Sequence, residues 1–400
     1  MKYDFETVME RKGHDALAVD GLGKGTAPGL PKEGFDAIPM WVADMNFATA
    51  PSVVKAISER LAHPAFGYFN PRDEYLDAII QWQATRNGVT GLSREHIGYE
   101  NGVLGGVLSA MGTYCSRGDR ILIHGPTYNG FSGSLGNCGY QLSVSPLVLD
   151  EQGIWRMDFE DMERRLREEN IHAALFCSPH NPTGRVWERW EIERAMELFR
   201  KYDVFVVSDE IWSDVILMGH RHIPTQSVSE DARQRTVALY APTKTFNLAG
   251  LIGSYHIIYN KRLRDRVNKE SSLSHYNNMN VLSMYALIGA YTEEGIEWLE
   301  ELRETLSGNV DYAYRYVCEH FEGVTLAKPQ GTYMLFIDCR EWMEKHGKTL
   351  DELLKMGWDV GVAWQDGRHH GGTTHIRINL ALPLSRVKEA FDRLDRYVFH

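Results

Sequence analysis

Short apolar runs alternate with longer amphipathic stretches through the middle of the chain. The runs are four or five residues long and cover 120–124, 173–177, 204–208, 237–240 and 255–259. Helical patterns, such as the one over 188–201, lie between several of these runs. Strands that alternate with helices in this way predict a mostly parallel β-sheet with helices packed on both faces.

The segments that precede this region have different patterns. Residues 1–35 are rich in Gly and Pro, which predicts an extended arm that is ordered only where it lies on another part of the protein. Pro51 begins a helical pattern. A second helix is predicted over 73–86, where Asn87 and Gly88 would end it.

The pattern of apolar and polar positions changes again after 288–295. A long charged helical stretch follows, then strands at 333–338 and 375–379, and finally an amphipathic helix. The chain is therefore divided into three parts, listed here in order: an N-terminal arm with part of the small domain (1–48), a large domain (49–290) and a smaller α+β C-terminal domain (291–400).

Length and composition fit a globular protein of two or three domains. Of 400 residues, 43% are hydrophobic and 24% are charged, which excludes disorder, collagen and coiled coil as the main structure. The chain has 43 Lys and Arg against 54 Asp and Glu, a net charge of −11. Because an acidic chain repels phosphate backbones, we expect no nucleic-acid partner.

Membrane, disulfide and metal signals are weak. No run approaches the roughly 20 apolar residues that span a bilayer, and the charged N-terminus lacks the apolar core of a signal peptide. We therefore expect a cytosolic protein without a membrane partner. The 5 Cys residues include no Cys-x-x-Cys pair, which argues against disulfide and zinc-thiolate frameworks. His369 and His370 could bind a metal, but the following Gly371 and Gly372 favour a flexible loop, so no metal is predicted.

Three polar side chains follow consecutive predicted strands. Asn181 follows the run 173–177, Asp209 follows 204–208, and Lys244 follows 237–240. Ligands of parallel sheets bind beyond the carboxyl ends of the strands. Taken singly, such an Asp is most often a helix cap, Asn-Pro-Thr-Gly a turn and a Lys a solvated residue. Together, one αβ unit apart, they form a specific set.

The segments around these residues resemble a known family. They read Ser-Pro-His-Asn-Pro-Thr-Gly at 178–184, Ser-Asp-Glu-Ile at 208–211 and Ala-Pro-Thr-Lys-Thr-Phe-Asn-Leu-Ala-Gly at 241–250. In these segments the chain resembles the fold-type I enzymes that use pyridoxal 5′-phosphate (PLP), the class I/II aminotransferase superfamily. The likeness covers nearly the whole chain. It implies an α/β fold with a large domain around a mostly parallel sheet of the seven-stranded type, a smaller α+β domain and an N-terminal arm.

One branch of that superfamily is more similar still. The segment Ile-Pro-Met-Trp-Val-Ala-Asp-Met-Asn-Phe at 38–47 resembles the hallmark of the cystathionine β-lyase or cysteine C–S lyase group, and 331–340 and 376–381 fit that group too.

The resemblance assigns roles around the cofactor ring. Lys244 would condense with the cofactor aldehyde and, once freed, remove the substrate's Cα proton. Asp209 would keep the pyridine nitrogen protonated, Asn181 would bond the ring oxygen O3′, and Tyr128 would stack on the ring. Arg377 would bind the substrate carboxylate through its guanidinium fork.

The resemblance also assigns the cofactor phosphate. Gly102, Val103 and Leu104 would offer backbone amides at a helix N-terminus, although the segment 101–106 alone is equally typical of a helix–helix turn. Thr243 would add a hydroxyl. Tyr68 matches a residue that reaches the phosphate from the neighbouring subunit, which implies a homodimer with shared sites, but a core or interface aromatic is the alternative.

The chain departs from the family pattern at three positions. Ile252 replaces an Arg that binds the phosphate in many aminotransferases, a loss typical of the C–S lyase branch. Trp212 replaces a Tyr that bonds O3′, which leaves Asn181 to do so alone. Asn46 stands where the branch more often has Asp. Candidate wall residues of the substrate pocket are the aromatic residues Trp41, Tyr3, Trp212, Tyr276 and Trp364.

The leading hypothesis is a PLP-dependent C–S β-lyase that cleaves cystathionine or other S-substituted L-cysteines to a thiol, pyruvate and ammonia. An aminotransferase on the same scaffold is the alternative. A non-catalytic protein that keeps the fold is a third hypothesis, against which the intact set of Asn181, Asp209, Lys244 and Arg377 argues.

Overall fold

The computed structural model describes residues 1–273 and 277–400. Its helices are α1 (Leu17–Asp20), α2 (Pro51–Leu61), α3 (Asp73–Asn87), α4 (Val103–Tyr114), α5 (Asn129–Asn137), α6 (Phe159–Glu168), α7 (Arg189–Lys201), α8 (Glu230–Arg235), α9 (Lys261–Ser272), α10 (Val281–Ala290), α11 (Glu293–His320), α12 (Arg340–His346), α13 (Leu350–Asp359) and α14 (Leu384–Tyr397). Its strands are β1 (Ile38–Pro39), β2 (Ile97–Glu100), β3 (Arg120–Gly125), β4 (Gln141–Leu149), β5 (Trp155–Met157), β6 (Ile171–Cys177), β7 (Phe205–Asp209), β8 (Thr236–Tyr240), β9 (Ser254–Ile257), β10 (Thr325–Leu326), β11 (Met334–Asp338), β12 (Val362–Ala363), β13 (Gln365–Asp366) and β14 (His375–Asn379).

The larger sheet has the predicted α/β character. Within the described residues it has eight strands in the order β2-β9-β8-β7-β6-β3-β4-β5. Strands β8, β7, β6, β3 and β4 are mutually parallel, while β9 and β5 run antiparallel to their neighbours. The three-residue β5 pairs with the end of β4 and extends the edge beyond seven strands.

Both faces of this sheet are covered, as the uninterrupted apolar runs predict. Leu175 of β6 packs in a cluster with α4, α5 and α9. Its neighbour Phe176 packs on the opposite face in a cluster with α6, α7 and α8. Because successive side chains of a strand point to opposite faces, a strand buried on both sides needs apolar residues at nearly every position.

A second, antiparallel sheet lies in the C-terminal part of the chain, in the order β10-β11-β14-β13. The N-terminal segment joins this part, because β1 pairs in parallel with β12. The arm before it is anchored by Phe5, which is buried against Phe47 and Trp298. The proposed domain boundaries remain a prediction.

The helix predictions near the N-terminus agree with the structure. Pro51 is the first residue of α2. Helix α3 ends at Asn87, and the capping Gly88 that follows has a φ of 66°, in the left-handed region that glycine adopts without strain. Within residues 1–273 and 277–400, no helix combines the length and apolar character needed to cross a membrane.

The prediction that His369 and His370 lie in a flexible loop is wrong for His370, while His369 is exposed. His370 is fully buried in a single helical turn, with ring nitrogens 3.1 Å from the Thr127 carbonyl oxygen and 3.2 Å from Oε1 of Gln365. Burial lowers the pKa of His370 to about 2, so the ring is neutral. Among the described residues, no group of three or more His, Cys, Asp or Glu could hold a metal ion.

Candidate active site

Three neighbouring parallel strands end at one cavity. Strands β6, β7 and β8 lie side by side, so their carboxyl ends bring Asn181, Asp209 and Lys244 to the same edge of the sheet. The cavity there has a volume of about 270 Å³, close to the roughly 300 Å³ at the small end of ligand pockets. Eight of the residues proposed to bind the cofactor line it, namely Gly102, Val103, Leu104, Tyr128, Asn181, Asp209, Thr243 and Lys244.

The Lys244 amine is held by a backbone carbonyl from the hallmark segment 38–47. Its Nζ donates to the oxygen of Ala43 at 2.8 Å. Burial, helped by the nearby positive charge of Arg377, lowers the pKa of Lys244 to about 8. A lowered pKa leaves more of the amine neutral near physiological pH, which is the form that attacks a carbonyl and accepts a proton.

Asp209 is buried at the end of β7. Its Oδ1 accepts a hydrogen bond from the backbone N–H of Ile211 at 3.0 Å. Burial raises the pKa of Asp209 to about 7, and the adjacent Glu210 charge acts in the same direction. Such a carboxyl binds a proton tightly and is therefore suited to pairing with a protonated ring nitrogen.

Arg377 and Asn181 form a buried pair at the cavity, which Asn181 lines and Arg377 does not. Nη1 of Arg377 donates to Oδ1 of Asn181 at 3.0 Å, and Nη2 donates to the Trp41 carbonyl at 3.2 Å. The amide NH₂ of Asn181 is then the group that can donate to a ring oxygen. Within the described residues Nε of Arg377 is buried without a hydrogen-bond partner, which suits an arriving carboxylate.

The phosphate side of the cavity is a turn from a strand into a helix. Gly102 follows β2 and precedes α4, so the helix–helix alternative for 101–106 is wrong. The φ of Gly102 is 80°, and the first bond within the helix runs from the Gly106 N–H to the Gly102 carbonyl. The N–H groups of Val103 and Leu104 therefore precede the helical ladder and can bind an anion.

Replacing Gly102 by alanine should weaken PLP binding about tenfold, because a Cβ strains the left-handed φ and shifts these amides. Titration of the apoprotein with PLP, followed by tryptophan fluorescence, measures the effect. Gly133→Ala is the matched control, because a Cβ there meets open space. Equal PLP affinity in the two variants would contradict this assignment.

Two aromatic residues proposed for the cofactor lie in different surroundings. Tyr128 lines the cavity and packs edge-on against Phe131, with ring centroids 5.2 Å apart. Tyr68 is fully exposed in the single chain, which excludes the core alternative. Its contact with a neighbouring subunit remains a prediction.

The departures from the family pattern lie at or near the site. Ile252 lines the cavity with an unusual φ of 49°. Trp212 also lines it, and Nζ of Lys244 lies 5.8 Å from the Trp212 ring centroid. Asn46 accepts a hydrogen bond from Arg11 at 2.9 Å, while Asp44 pairs with the same Arg11 at 2.6 Å. The amide thus satisfies Arg11 without adding a second carboxylate.

The list of proposed wall residues needs correction. Trp364 is buried away from the cavity and donates to the Leu354 carbonyl, and Tyr3 lies along α11, where its backbone N–H donates to Glu301. Tyr276 lies outside the described residues. Trp41 does not line the cavity either. Its carbonyl accepts a hydrogen bond from Arg377, and its indole N–H donates to the Ala18 carbonyl at 2.9 Å.

Several cavity residues were not foreseen from the sequence. The cavity-lining ones are Ala43, Phe131, Cys177, Ile211, Ala249 and Gly253. The buried Tyr333 was also missed, and its hydroxyl donates to the same Ala43 oxygen at 3.1 Å. Only the position of the hallmark segment beside Lys244 could have indicated Ala43, since a backbone carbonyl has no residue-type signal.

These groups fit PLP. The cavity offers an amine, a carboxyl for the ring nitrogen, an amide for the ring oxygen and free backbone amides at a helix N-terminus for the phosphate. The buried Nε of Arg377 adds a donor for the substrate.

Comparison with known proteins gives the same picture. The family model "Aminotransferase class I and II" matches residues 37–394. The chain is 32% identical to "Cystathionine beta-lyase PatB" of Bacillus subtilis over 90% of this chain and 92% of that protein. It is 31% identical to "Protein MalY" of Escherichia coli over 97% and 96% of the two chains.

A solved structure agrees in its fold and its cofactor. The PLP-bound C–S lyase from Staphylococcus hominis superposes with a TM-score of 0.89 at 30% identity, covering 99% of this chain and 98% of that one. The chain therefore belongs to the class I and II aminotransferase family of PLP-dependent enzymes, in the branch that holds the cystathionine β-lyases and C–S lyases.

Proposed function

We propose that this enzyme is a C–S β-lyase that cleaves cystathionine or other S-substituted L-cysteines to a thiol, pyruvate and ammonia. The observation that carries the proposal is the position of segment 38–47. This segment resembles the hallmark of the lyase branch, and it supplies the Ala43 oxygen to the Lys244 amine and the Trp41 oxygen to Arg377. The similarity to cystathionine beta-lyase PatB and to the C–S lyase from Staphylococcus hominis supports the same activity.

The chain's own residues divide the work of such a reaction. Arg377 would bind the substrate carboxylate and so fix the orientation of the substrate's Cα. The freed Lys244 amine, with a pKa of about 8, takes the proton from Cα. Bound PLP supplies an electron-accepting ring that stabilises the negative charge left at Cα. Asp209 holds the proton on the ring nitrogen, which maintains that capacity.

The decisive assay supplies L-cystathionine to the PLP-loaded enzyme without a keto acid. The proposal expects steady release of pyruvate and a free thiol. An absence of pyruvate, together with amino transfer once a keto acid is added, would establish the aminotransferase alternative instead. Neither activity in a preparation that binds PLP would favour the non-catalytic hypothesis.

Arg377→Lys should raise KM for the amino-acid substrate about 10- to 100-fold while changing kcat less. An ammonium cannot replace the guanidinium fork, and a hydrogen bond to a charged group is worth about 1.5–3 kcal/mol. Steady-state kinetics with S-substituted cysteines measure the split. Arg315→Lys, an exposed position on α11, is the control. A lowered kcat with unchanged KM would show that Arg377 does not bind the substrate carboxylate.

We also propose a homodimer in which Tyr68 completes the partner's site. Tyr68 and the neighbouring Phe66 are both exposed in the single chain, and apolar surface of this kind marks interaction sites. Hybrids of a Lys244→Ala chain with a Tyr68→Ala chain test the arrangement, because only sharing across subunits gives one intact site per hybrid. The Tyr68→Ala homodimer is expected to be impaired and the hybrid to recover activity. Inactive hybrids would mean that Tyr68 acts within its own chain, and a fully active Tyr68→Ala homodimer would mean that it acts in no site. A cytosolic location remains a prediction.

A further inference from the structure

A second carboxylate is buried directly behind the one that faces the cavity. Glu210 follows Asp209 in the chain and has no exposed surface. Its backbone N–H donates to the Leu239 carbonyl at 2.9 Å, so it is fixed to the neighbouring strand β8. The side chain does not line the cavity that holds Asp209 and Lys244.

Four donors saturate the Glu210 carboxylate. Its Oε2 accepts from Nε2 of His222 at 2.7 Å and from the hydroxyl of Tyr240 at 2.6 Å. Its Oε1 accepts from the hydroxyl of Ser208 at 2.9 Å and from the backbone N–H of Thr225 at 3.0 Å. A carboxylate whose two oxygens each accept two hydrogen bonds is held rigidly, and these bonds strongly favour its ionised form.

The charge state of Glu210 follows from these bonds. Burial alone would raise the pKa of Glu210, but the hydrogen bond and charge of His222 and the bond from Tyr240 bring it below its ordinary value. The ionised Glu210 in turn contributes to the raised pKa of Asp209. The charged and titratable groups packed around Glu210 are thus Asp209, His222 and Tyr240.

We propose that Glu210 is a positioning residue for the cofactor ring, a fixed buried charge that keeps a proton shared between Asp209 and the ring nitrogen. Asp209 and Glu210 together carry two negative charges against the single positive charge of a protonated ring, so the excess negative charge favours keeping that proton. In the low-dielectric interior, the negative charge of a residue adjacent to Asp209 stabilises a proton at the ring nitrogen more strongly than it would in water. Tyr240 also lies four residues before Lys244, so the same network ties the strand that carries Asp209 to the one that leads to the reactive amine.

The test compares PLP with its 1-deaza analogue, in which carbon replaces the ring nitrogen. The dissociation constant of each is measured on apoenzyme without substrate. Glu210→Gln should weaken PLP binding about tenfold, since roughly one pKa unit of proton affinity is lost, but should weaken the analogue less than about twofold. Equal losses for both cofactors would show that Glu210 only supports the fold and would overturn the proposal.

Tyr240→Phe is the matched control, because it removes one hydrogen bond but keeps the charge. It should weaken both cofactors equally. A loss selective for PLP in this variant would contradict an effect of charge. If Glu210→Gln does not fold, Glu210→Gln combined with Tyr240→Phe removes the same charge and leaves His222 in place, while the lost hydroxyl no longer opposes the new amide N–H; the same selective loss is expected.

This inference rests on the assignment of Asp209 and not on the C–S lyase activity. The binding measurement involves no substrate, so failure of the pyruvate assay leaves it intact. Equal losses for the two cofactors would likewise leave the lyase proposal unaffected.

Discussion

Replacing Lys244 by alanine will reduce β-elimination by at least about 10⁴-fold and abolish the covalent bond between protein and cofactor. The variant loses the amine that is proposed both to condense with PLP and to take the Cα proton. Positioned general bases alone contribute about 10²–10⁴-fold. The measurement is pyruvate release from S-substituted L-cysteines, with the intact mass of the borohydride-reduced protein.

The control for Lys244→Ala is Lys261→Ala, because Lys261 is an exposed lysine at the start of α9. It should leave pyruvate release and cofactor attachment unchanged. The Lys244→Ala variant should still bind PLP non-covalently through the phosphate amides and Asp209. Retention of more than a few per cent of the activity would contradict the assigned role of Lys244.

Asp209→Asn should lower kcat/KM by about 10³-fold, or about 4 kcal/mol of transition-state stabilisation. An amide carries no negative charge, so it cannot hold the proton on the ring nitrogen, and the ring accepts electrons poorly without that proton. Kinetics with and without added PLP separate this effect from lost binding. Asp203→Asn makes the same change at an exposed side chain and should leave kcat/KM unchanged.

Although Asp209→Asn should lower activity, it should raise the free energy of unfolding of the apoprotein. The folded-state pKa of Asp209 is raised to about 7, above the unfolded value of about 3.9. The folded apoprotein therefore binds the proton more tightly, and its stability falls as pH rises from about 4 to 7. Removing the carboxyl should thus stabilise the apoprotein at pH 8 by the order of 2 kcal/mol, measured by urea unfolding. A less stable apo variant at pH 8 would show that Asp209 is not a strained buried charge.

The elements of the fold and the strand-end residues were predictable for a specific physical reason. Strands buried on both faces need uninterrupted apolar runs, so β6, β7 and β8 are visible in the sequence. Because their carboxyl ends meet at one edge of the sheet, Asn181, Asp209 and Lys244 converge without any knowledge of the packing. The role of Gly102 in the turn before α4 was also predictable, since the left-handed φ at this position excludes most other residues.

Other parts of the site depend on packing that no residue type reveals. The Ala43 oxygen reaches Lys244 only because the N-terminal segment joins the small sheet through β1 and β12. Trp364 was misplaced because a buried aromatic is equally at home in a core or a pocket. His370 was misread because its glycine neighbours suggested a loop, while tertiary partners bury it fully.

The most direct measurement on the central claim is borohydride reduction of the PLP-loaded enzyme followed by peptide mapping. Reduction fixes the cofactor on the amine to which it is bound, and tryptic mass spectrometry locates it. The account predicts one modified peptide, with phosphopyridoxyl on Lys244. Modification of a different lysine, or no stable modification in a protein that binds PLP, would contradict it.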